Sequence, residues 1–340
     1  MRNTSKQIEK IEQTKKTLKN QGYRLVGKHS IVKVCEWCKH AIRGCGECYK
    51  NKFYGIPSWR CVQMSPWLAC SNSCVHCWRP IELDMTKLMS LNGKNRLNKL
   101  DKPKEIIEKC AKEQILLLKG FGGYDKINKK RYEESHFPTH YAISLIGEPT
   151  LYPYIGQLVA ELRKQGKTSF IVSNGLHPEI INKLWKNKQL PTQLYVSLNS
   201  SNEKEYNSWQ NSKLKDAWKR YNKTLELINK ITKSGKRTVL RMTIVNDLNM
   251  SDRHVKEFAE LIKKSGVMFV EVKSYMPLGY ARARMGYEKM PFIENIRDFA
   301  KKLAKETGYI VLDKHDKSKI YLLGKNKEAK RRMKISKKEI

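Results

Sequence analysis

Eight of the nine cysteines lie within residues 35–77, and three of them carry the most specific pattern in the chain. Cys70, Cys74 and Cys77 are spaced C-x3-C-x2-C. Three closely spaced thiolates can bind three irons of a cubane cluster and leave the fourth iron open to a small molecule. Zinc normally takes four protein ligands and rarely this spacing, although His76 could supply a fourth. The crowding favours metal or redox chemistry over a disulfide framework.

The remaining cysteines of this window allow two interpretations. Cys35, Cys38, Cys45 and Cys48 are spaced C-x2-C-x6-C-x2-C, as in a small zinc knuckle or ribbon. Alternatively, Cys35, Cys48 and Cys61 are spaced C-x12-C-x12-C and lead directly into the first motif. In the second interpretation Cys38 and Cys45 are additional thiols, free or paired with each other.

The C-x3-C-x2-C motif follows a predicted strand within residues 60–67. In this context the sequence resembles the radical S-adenosylmethionine (SAM) superfamily. The resemblance implies an α/β fold, a partial (β/α)6 TIM-like barrel of the radical SAM type with a Cys-rich N-terminal extension. It also implies a 4Fe-4S cluster on Cys70, Cys74 and Cys77, with SAM bound at the open iron. Many members carry an aromatic residue where this chain has His76.

A series of further stretches, in the same order along the chain, is similar to the tRNA 4-demethylwyosine synthases. These stretches are Cys48-Tyr-Lys-Asn-Lys-Phe-Tyr-Gly-Ile, Arg60-Cys-Val-Gln-Met-Ser-Pro, Cys77-Trp-Arg-Pro, Ser144-Leu-Ile-Gly-Glu-Pro, Phe170-Ile-Val-Ser-Asn, Gln193-Leu-Tyr-Val-Ser, Arg237-Thr-Val-Leu-Arg-Met-Thr and Phe269-Val-Glu-Val-Lys. The resemblance covers residues 22–310. It implies a lyase-type radical enzyme that condenses N1-methylguanosine-37 of tRNA-Phe with pyruvate to form 4-demethylwyosine.

The same resemblance implies roles for individual residues. Members carry a second 4Fe-4S cluster on three cysteines spaced like Cys35, Cys48 and Cys61, and its open iron would chelate pyruvate. Lys50 matches a lysine proposed to form a Schiff base with pyruvate, and Lys273 is the other candidate. The residues expected to bind SAM follow or lie within predicted strands: Gly147, Glu148, Pro149, Asn174, Ser197 and Arg241.

Two of these positions leave questions open. Arg241 could pair with the SAM carboxylate or with an acid in the core. Family members commonly place a lysine where this chain has Asn246, so a mechanism that needs that lysine must use Lys50 or Lys273.

Short apolar runs alternate with amphipathic segments from Tyr141 onward, which predicts repeated βα units with parallel strands. We expect a basic N-terminal region at residues 1–60, the barrel at 61–312 with an insertion at 84–132, and a basic tail at 313–340. The predicted strands are 141–146, 169–173, 194–198, 238–245, 269–273 and 309–312. The predicted helices are 5–20, 103–118, 155–164, 178–185, 214–232, 252–264 and 293–306.

The chain has 68 Lys and Arg residues against 33 Asp and Glu, a formal charge of +35. Such an excess favours an anionic partner, and nucleic acid is the expected one. In the insertion, Phe121 and Tyr124 could stack on tRNA bases or form a buried hinge. Residues 325–340 hold eight basic side chains and are expected to be a mobile arm.

No apolar stretch approaches the roughly 18 residues of a membrane span, and the N-terminus has no secretory signal pattern. We therefore expect a cytoplasmic protein. We also expect it to be a monomer. Eukaryotic relatives carry a flavodoxin-like domain, and the 34 residues before Cys35 leave no room for one. The resemblance thus implies an archaeal domain plan and an external electron donor of the flavodoxin or ferredoxin type.

Two other functions remain as alternatives. Another radical SAM enzyme acting on RNA, such as a methylthiotransferase, would normally have a longer N-terminal cysteine domain and a C-terminal β-barrel. A zinc-stabilised, non-enzymatic RNA-binding protein would use the four knuckle cysteines but leave C-x3-C-x2-C and the βα series unexplained.

Overall fold

The computed structural model describes residues 2–82, 85–89 and 99–340, and its chain divides into two compact units. Unit 1 takes its described residues from 1–47, 57–70 and 83–169, and unit 2 from 48–56, 71–82 and 170–340. Residues 84 and 90–98 of the expected insertion lie outside the described residues.

Unit 1 contains a four-stranded sheet flanked by helices. Its helices are α1 (Arg2–Asn20), α2 (Glu36–Ile42), α4 (Pro103–Leu118), α5 (Lys129–Ser135) and α6 (Ile155–Lys164). Its strands, in sheet order, are β1 (Tyr23–Val26), β2 (Ser30–Lys33), β3 (Cys61–Ser65) and β4 (His140–Ile143). The first three pair antiparallel, whereas β3 and β4 are parallel and begin the βα series.

Unit 2 continues the series. Its helices are α3 (Tyr49–Tyr54), α7 (Pro178–Lys186), α8 (Glu203–Glu205), α9 (Ala217–Lys233), α10 (Asp252–Ser265), α11 (Ala281–Met285), α12 (Ile293–Thr307) and α13 (Lys327–Arg331). Its strands are β5 (Thr168–Ser173, from Phe170 onward in this unit), β6 (Gln193–Ser197), β7 (Thr238–Ile244), β8 (Phe269–Ser274), β9 (Ile310–His315) and β10 (Ile320–Gly324). Strands β5 to β8 are parallel, and β10 lies antiparallel between β8 and β9.

Local sequence signals explain where these elements start and stop. Strand β7 is rich in β-branched and apolar residues, and most of its side chains are buried, as expected for a parallel strand covered on both faces. Helix α10 begins at a capping box formed by Ser251 and His254 and ends at Gly266, whose φ of 50° suits glycine. The expected helices and strands of the βα series are all present, with shifts of a few residues at their ends.

The C-terminal segment differs from our expectation of a basic tail that starts at residue 313. The boundary cuts through β9, and β10 contributes buried side chains to the core, including Leu322. Residues 325–340 also make specific contacts: the Ile335 N–H, for example, donates to the Tyr54 carbonyl at 3.1 Å. The expectation of a mobile tail rested on the many basic residues. The apolar run Ile320-Tyr-Leu-Leu that forms most of β10 has only four residues, too few to predict a strand against that charge.

Among the described residues, no helix is long and apolar enough to cross a membrane.

Candidate active site

The C-x3-C-x2-C loop follows β3. Cys70 closes its segment of unit 1, and Cys74 and Cys77 lie in unit 2. All three side chains are partly exposed. Partly accessible thiols on a loop after a barrel-type strand suit a cluster that must meet a small molecule.

In unit 2 this loop is bound by one turn of π-helix, residues Tyr206–Gln210. The Ser73 N–H donates to the Gln210 carbonyl at 3.0 Å, and the Val75 N–H donates to the Trp209 carbonyl at 2.9 Å. Trp209 and Gln210 are the last two residues of this turn, where carbonyls have no partner within the helix and can accept from another segment. The turn thereby fixes the backbone on both sides of Cys74.

Arg284, from α11, holds the other end of the loop. Its Nε donates to the Val75 carbonyl at 3.1 Å, and its Nη2 donates to the carbonyls of Cys77 and Arg79. A guanidinium can serve several carbonyls at once because its five N–H donors lie in one plane. An ion pair with Glu82 completes the contacts. Nothing in the sequence alone singled out Arg284 or the π-turn.

In unit 1, the motif Gly147-Glu148-Pro149 lies against the residues just before Cys70. The Glu148 N–H donates to the Ala69 carbonyl at 2.7 Å. Gly147 has a φ of 71°, and a Cβ there would overlap the Trp67 carbonyl, so only glycine fits. The buried Glu148 carboxylate accepts from the backbone and side chain of Thr150. The motif therefore positions the start of the cysteine loop.

Asn174 follows β5 and Ser197 ends β6, two neighbouring parallel strands of unit 2. The Asn174 side chain donates to the Ser71 hydroxyl at 2.9 Å, which ties the end of β5 to the cysteine loop. Ser197 is the register partner of Arg241, and its carbonyl accepts from the Tyr221 hydroxyl at 2.8 Å. Both residues lie at the carboxyl ends of strands, where ligands bind in such sheets.

His76 is held as a neutral imidazole. Burial and the nearby Arg284 lower its pKa to about 4. Its Nε2 lies 3.1 Å from the side-chain nitrogen of Asn199. The side-chain oxygen of Asn199 accepts from the Thr243 N–H at 2.9 Å. Asn199 is a further residue at this site that the sequence did not reveal. Asn246, by contrast, donates to the Glu288 carbonyl at 2.9 Å.

A second group of side chains in unit 2 surrounds a buried carboxylate next to α3. Glu271 is 0% exposed and accepts from the hydroxyls of Tyr49 at 3.0 Å and Tyr54 at 2.8 Å. Its neighbour in register on β7 is Arg241. Burial lowers the pKa of Arg241, but Tyr49 and Glu271 raise it, and the net shift is upward. Glu271 is thus an acid close to Arg241 in the core, and pairing of Arg241 with the SAM carboxylate stays the other prediction.

Both candidate lysines border this group. Lys50 is 9% exposed, and its Nζ lies 5.2 Å from the Phe170 ring centre and 5.1 Å from that of Tyr195. Burial and then the charge of Arg241 lower the pKa of Lys273 to about 7. A lysine that is partly neutral near pH 7 can act as a nucleophile or base.

The other cysteines divide between the two units. In unit 1, Cys35 precedes α2 and Cys61 begins β3, and both raise the pKa of the Cys38 thiol, although burial is the larger cause. Cys38 is fully buried and Cys45 is exposed, and no disulfide joins them. In unit 2, Cys48 precedes α3. Both interpretations of these cysteines therefore stay predictions.

Within the described part of the chain, no three Cys, His, Asp or Glu side chains converge as ligands of a single metal ion. A 4Fe-4S cluster has a different requirement, because each thiolate binds its own iron. The thiols of Cys70, Cys74 and Cys77 have the chemistry and spacing for such a cluster.

Comparisons with known proteins find similar proteins over most of the chain. A family model described as the radical SAM superfamily matches residues 64–262, and a second, described as wyosine base formation, matches residues 264–325. The tRNA 4-demethylwyosine synthase of Pyrococcus horikoshii is 43% identical over 307 residues, which cover 90% of this chain and 86% of that protein. The tRNA 4-demethylwyosine synthase of Methanocaldococcus jannaschii is 34% identical over 314 residues, which cover 92% of this chain and 96% of that protein.

Two solved structures share the fold over nearly the whole chain. One is "Structure of TYW1 with a lysine-pyruvate adduct bound", with a TM-score of 0.79, 32% identity and coverage of 96% of this chain and 98% of that one. The other is "Crystal structure of archaeal TYW1", with a TM-score of 0.73 and 31% identity. The match covers 95% of this chain and 99% of that one. Together with the parallel strands β3 and β4 of unit 1 and β5 to β8 of unit 2, they confirm the α/β fold of the radical SAM type.

Proposed function

The chain belongs to the tRNA 4-demethylwyosine synthases of the radical SAM superfamily, and from this premise we propose that it condenses N1-methylguanosine-37 of tRNA-Phe with pyruvate to give 4-demethylwyosine. One observation carries the proposal. Lys273 and Glu271 belong to the region matched to wyosine base formation, and both lie close to the residues at the start of α3, Cys48 and Tyr49. Helix α3 also contains Lys50.

Cys70, Cys74 and Cys77 are the residues that would hold the SAM cluster. Radical SAM membership implies SAM and an iron-sulfur cluster, which together supply a 5′-deoxyadenosyl radical for hydrogen abstraction from the substrate methyl group. We assign Glu148, with Gly147 and Pro149, and the strand-end residues Asn174 and Ser197 to the SAM side. An external flavodoxin- or ferredoxin-type protein supplies the electron.

Lys50 and Lys273 perform the pyruvate chemistry. The Lys50 amine attacks the keto carbon of pyruvate, and loss of water gives an imine. Lys273, with its lowered pKa, accepts and returns the protons of that step. Arg241 lies with Lys273 and Glu271, so we assign it to the pyruvate side. Cys35, Cys48 and Cys61 would hold a second 4Fe-4S cluster.

Reductive trapping tests the lysine assignment. Protein incubated with pyruvate and borohydride should carry a reduced adduct on the peptide that contains Lys50. Lys50→Arg should abolish the adduct because a guanidinium cannot form the imine, and Lys273→Gln should slow its formation. Lys52→Arg, on the exposed side of the same helix, is the matched control. An adduct on Lys273 in wild-type protein would reverse the two roles.

We also propose that tRNA contacts unit 1 at an aromatic platform within residues 119–132. The Arg43 guanidinium lies over the rings of Phe121, at 5.0 Å, and Tyr124, at 5.5 Å. Tyr124 is 47% exposed, so one face can accept a base, and Arg43 adds a cation for a phosphate.

Binding measurements with tRNA-Phe test the platform. Tyr124→Ala and Arg43→Gln should each weaken binding about tenfold, the usual value of one stacking contact. Lys109→Ala, which removes an exposed charge from α4, is the control and should have a smaller effect. Equal, small losses in all three variants would remove the platform from the interface.

A further inference from the structure

The last 14 residues of the chain run across α3 in unit 2. The Ile335 N–H donates to the Tyr54 carbonyl at 3.1 Å, and the Lys334 ammonium donates to the carbonyls of Asn51, at 3.2 Å, and Lys52. These carbonyls lie in the last turn of α3, a position that favours a cation. The Asn51 carbonyl also accepts from the Gly55 N–H at 2.9 Å, so the Lys334 ammonium is its second donor. Residues 327–340 therefore satisfy the end of a helix that is distant in sequence.

Arg237 fixes this segment to the sheet. Its side chain is 3% exposed, its Nη1 donates to the Arg332 carbonyl, and its Nη2 donates to the Met333 carbonyl at 3.0 Å. Its Nε donates to the Gln193 side-chain oxygen at 2.9 Å. One buried guanidinium thus joins the start of β7, a residue of β6 and the C-terminal backbone.

Glu271 holds α3 as well, through the hydroxyls of Tyr49 and Tyr54. Met333 and Ile335 pack against the same core as these aromatic side chains. Helix α3 has six residues, too few to be stable by its own hydrogen bonds. Its position must therefore come from its contacts with the sheet and with residues 327–340.

We propose that residues 327–340 form a strap that positions Lys50 and Cys48 by holding α3, and that Arg237 is the positioning residue of this strap. The inference rests on the proposed function of Lys50 in pyruvate binding. Both α3 and the strap lie outside residues 64–262 and 264–325, the two regions matched by family models. Substitutions in the strap should act on the pyruvate step and leave SAM cleavage in the absence of tRNA unchanged.

The test uses Ile335→Pro, which removes the N–H that binds Tyr54, and Ile335→Ala, which shortens the side chain but keeps that N–H. Arg237→Gln is the second strap variant. Hydrogen exchange in full-length protein should show amide protection in residues 51–55 reduced about tenfold by Ile335→Pro and Arg237→Gln, the effect of losing roughly one hydrogen bond. Ile335→Ala should change it less, and strands β6 and β7 should remain protected in Ile335→Pro.

Borohydride trapping of pyruvate on Lys50 is the second readout. Both strap variants should trap pyruvate more slowly and show a higher KM for pyruvate. Unchanged exchange in residues 51–55 would overturn the strap whether or not pyruvate is trapped. Faster exchange with normal trapping would also overturn it, because loosening of α3 would then have no effect on the reaction of Lys50 with pyruvate. Absence of any adduct in wild-type protein would instead refute the role of Lys50, and exchange would still decide whether the strap holds α3.

Discussion

At the scale of single residues, the site depends on groups that bind backbone carbonyls or buried hydroxyls. Arg284 holds the cysteine loop, and Glu271 holds the two tyrosines of α3. Neither side chain was among the candidates chosen from the sequence. Their importance arises from partners about 200 residues away, which local patterns do not specify.

Substitution of Arg284 should weaken the SAM-cluster site. Arg284→Gln removes most of the donors that fix the carbonyls of Val75, Cys77 and Arg79, so the thiols lose their relative positions. We expect iron retained per chain and SAM cleavage to fall about tenfold or more, as for residues that orient metal ligands. The control is Arg282→Gln on the same helix, whose guanidinium contacts Pro277 and Tyr287. Equal losses in both variants would assign the effect to α11 as a whole.

His29 should make unit 1 sensitive to acid. Its Nδ1–H donates to the Pro66 carbonyl at 2.6 Å, and its Nε2 accepts from the Asp101 N–H at 3.0 Å, which fixes the neutral ring. Burial lowers its pKa below 6.5. As pH falls below 6.5 the unfolded chain binds a proton that the folded chain does not, so stability falls.

The measurement is the free energy of unfolding in urea between pH 7.5 and 5. His29→Gln should show a smaller decrease over this range because its amide does not titrate. An identical pH dependence in the variant and wild-type protein would contradict the assignment.

At the scale of elements, the regular βα series was predictable and the additions to it were not. Helix α6 has the predicted bounds, because its apolar spacing is clear. Strands β1 and β2, and helices α2 and α3, were missed because each has at most seven residues and depends on tertiary contacts. Asn174 and the cysteine loop follow predicted strands, whereas Lys50 lies on a helix that the sequence did not predict.

Strand β10 offers a direct test of the corrected C-terminus. Leu322→Ala should destabilise the protein by about 2–5 kcal/mol, because Leu322 is fully buried in the core between β8 and β9. Leu278→Ala is the control, since Leu278 is 50% exposed and should change stability by less than about 0.5 kcal/mol. The urea midpoint gives both values. A small effect at Leu322 would restore the interpretation of this region as a tail.

At the scale of the whole molecule, the formal charge of +35 should govern affinity for tRNA. Each phosphate neutralised by a Lys or Arg releases counterions, so the dissociation constant should rise at least about tenfold between 50 and 200 mM salt. Fluorescence anisotropy with labelled tRNA-Phe measures it, and an affinity independent of salt would show that the charge has another purpose. Composition indicated an anionic partner, but the resemblance of ordered motifs, and then the family matches, identified tRNA.

The most direct test of the central claim is anaerobic turnover of reconstituted protein with SAM, a reductant, pyruvate and tRNA-Phe that contains N1-methylguanosine, followed by mass spectrometry of the nucleosides. We predict a nucleoside that gains two carbons only when pyruvate is present, and none with Lys50→Arg. SAM cleavage with the nucleoside unchanged would contradict the proposed function and leave only the radical SAM chemistry.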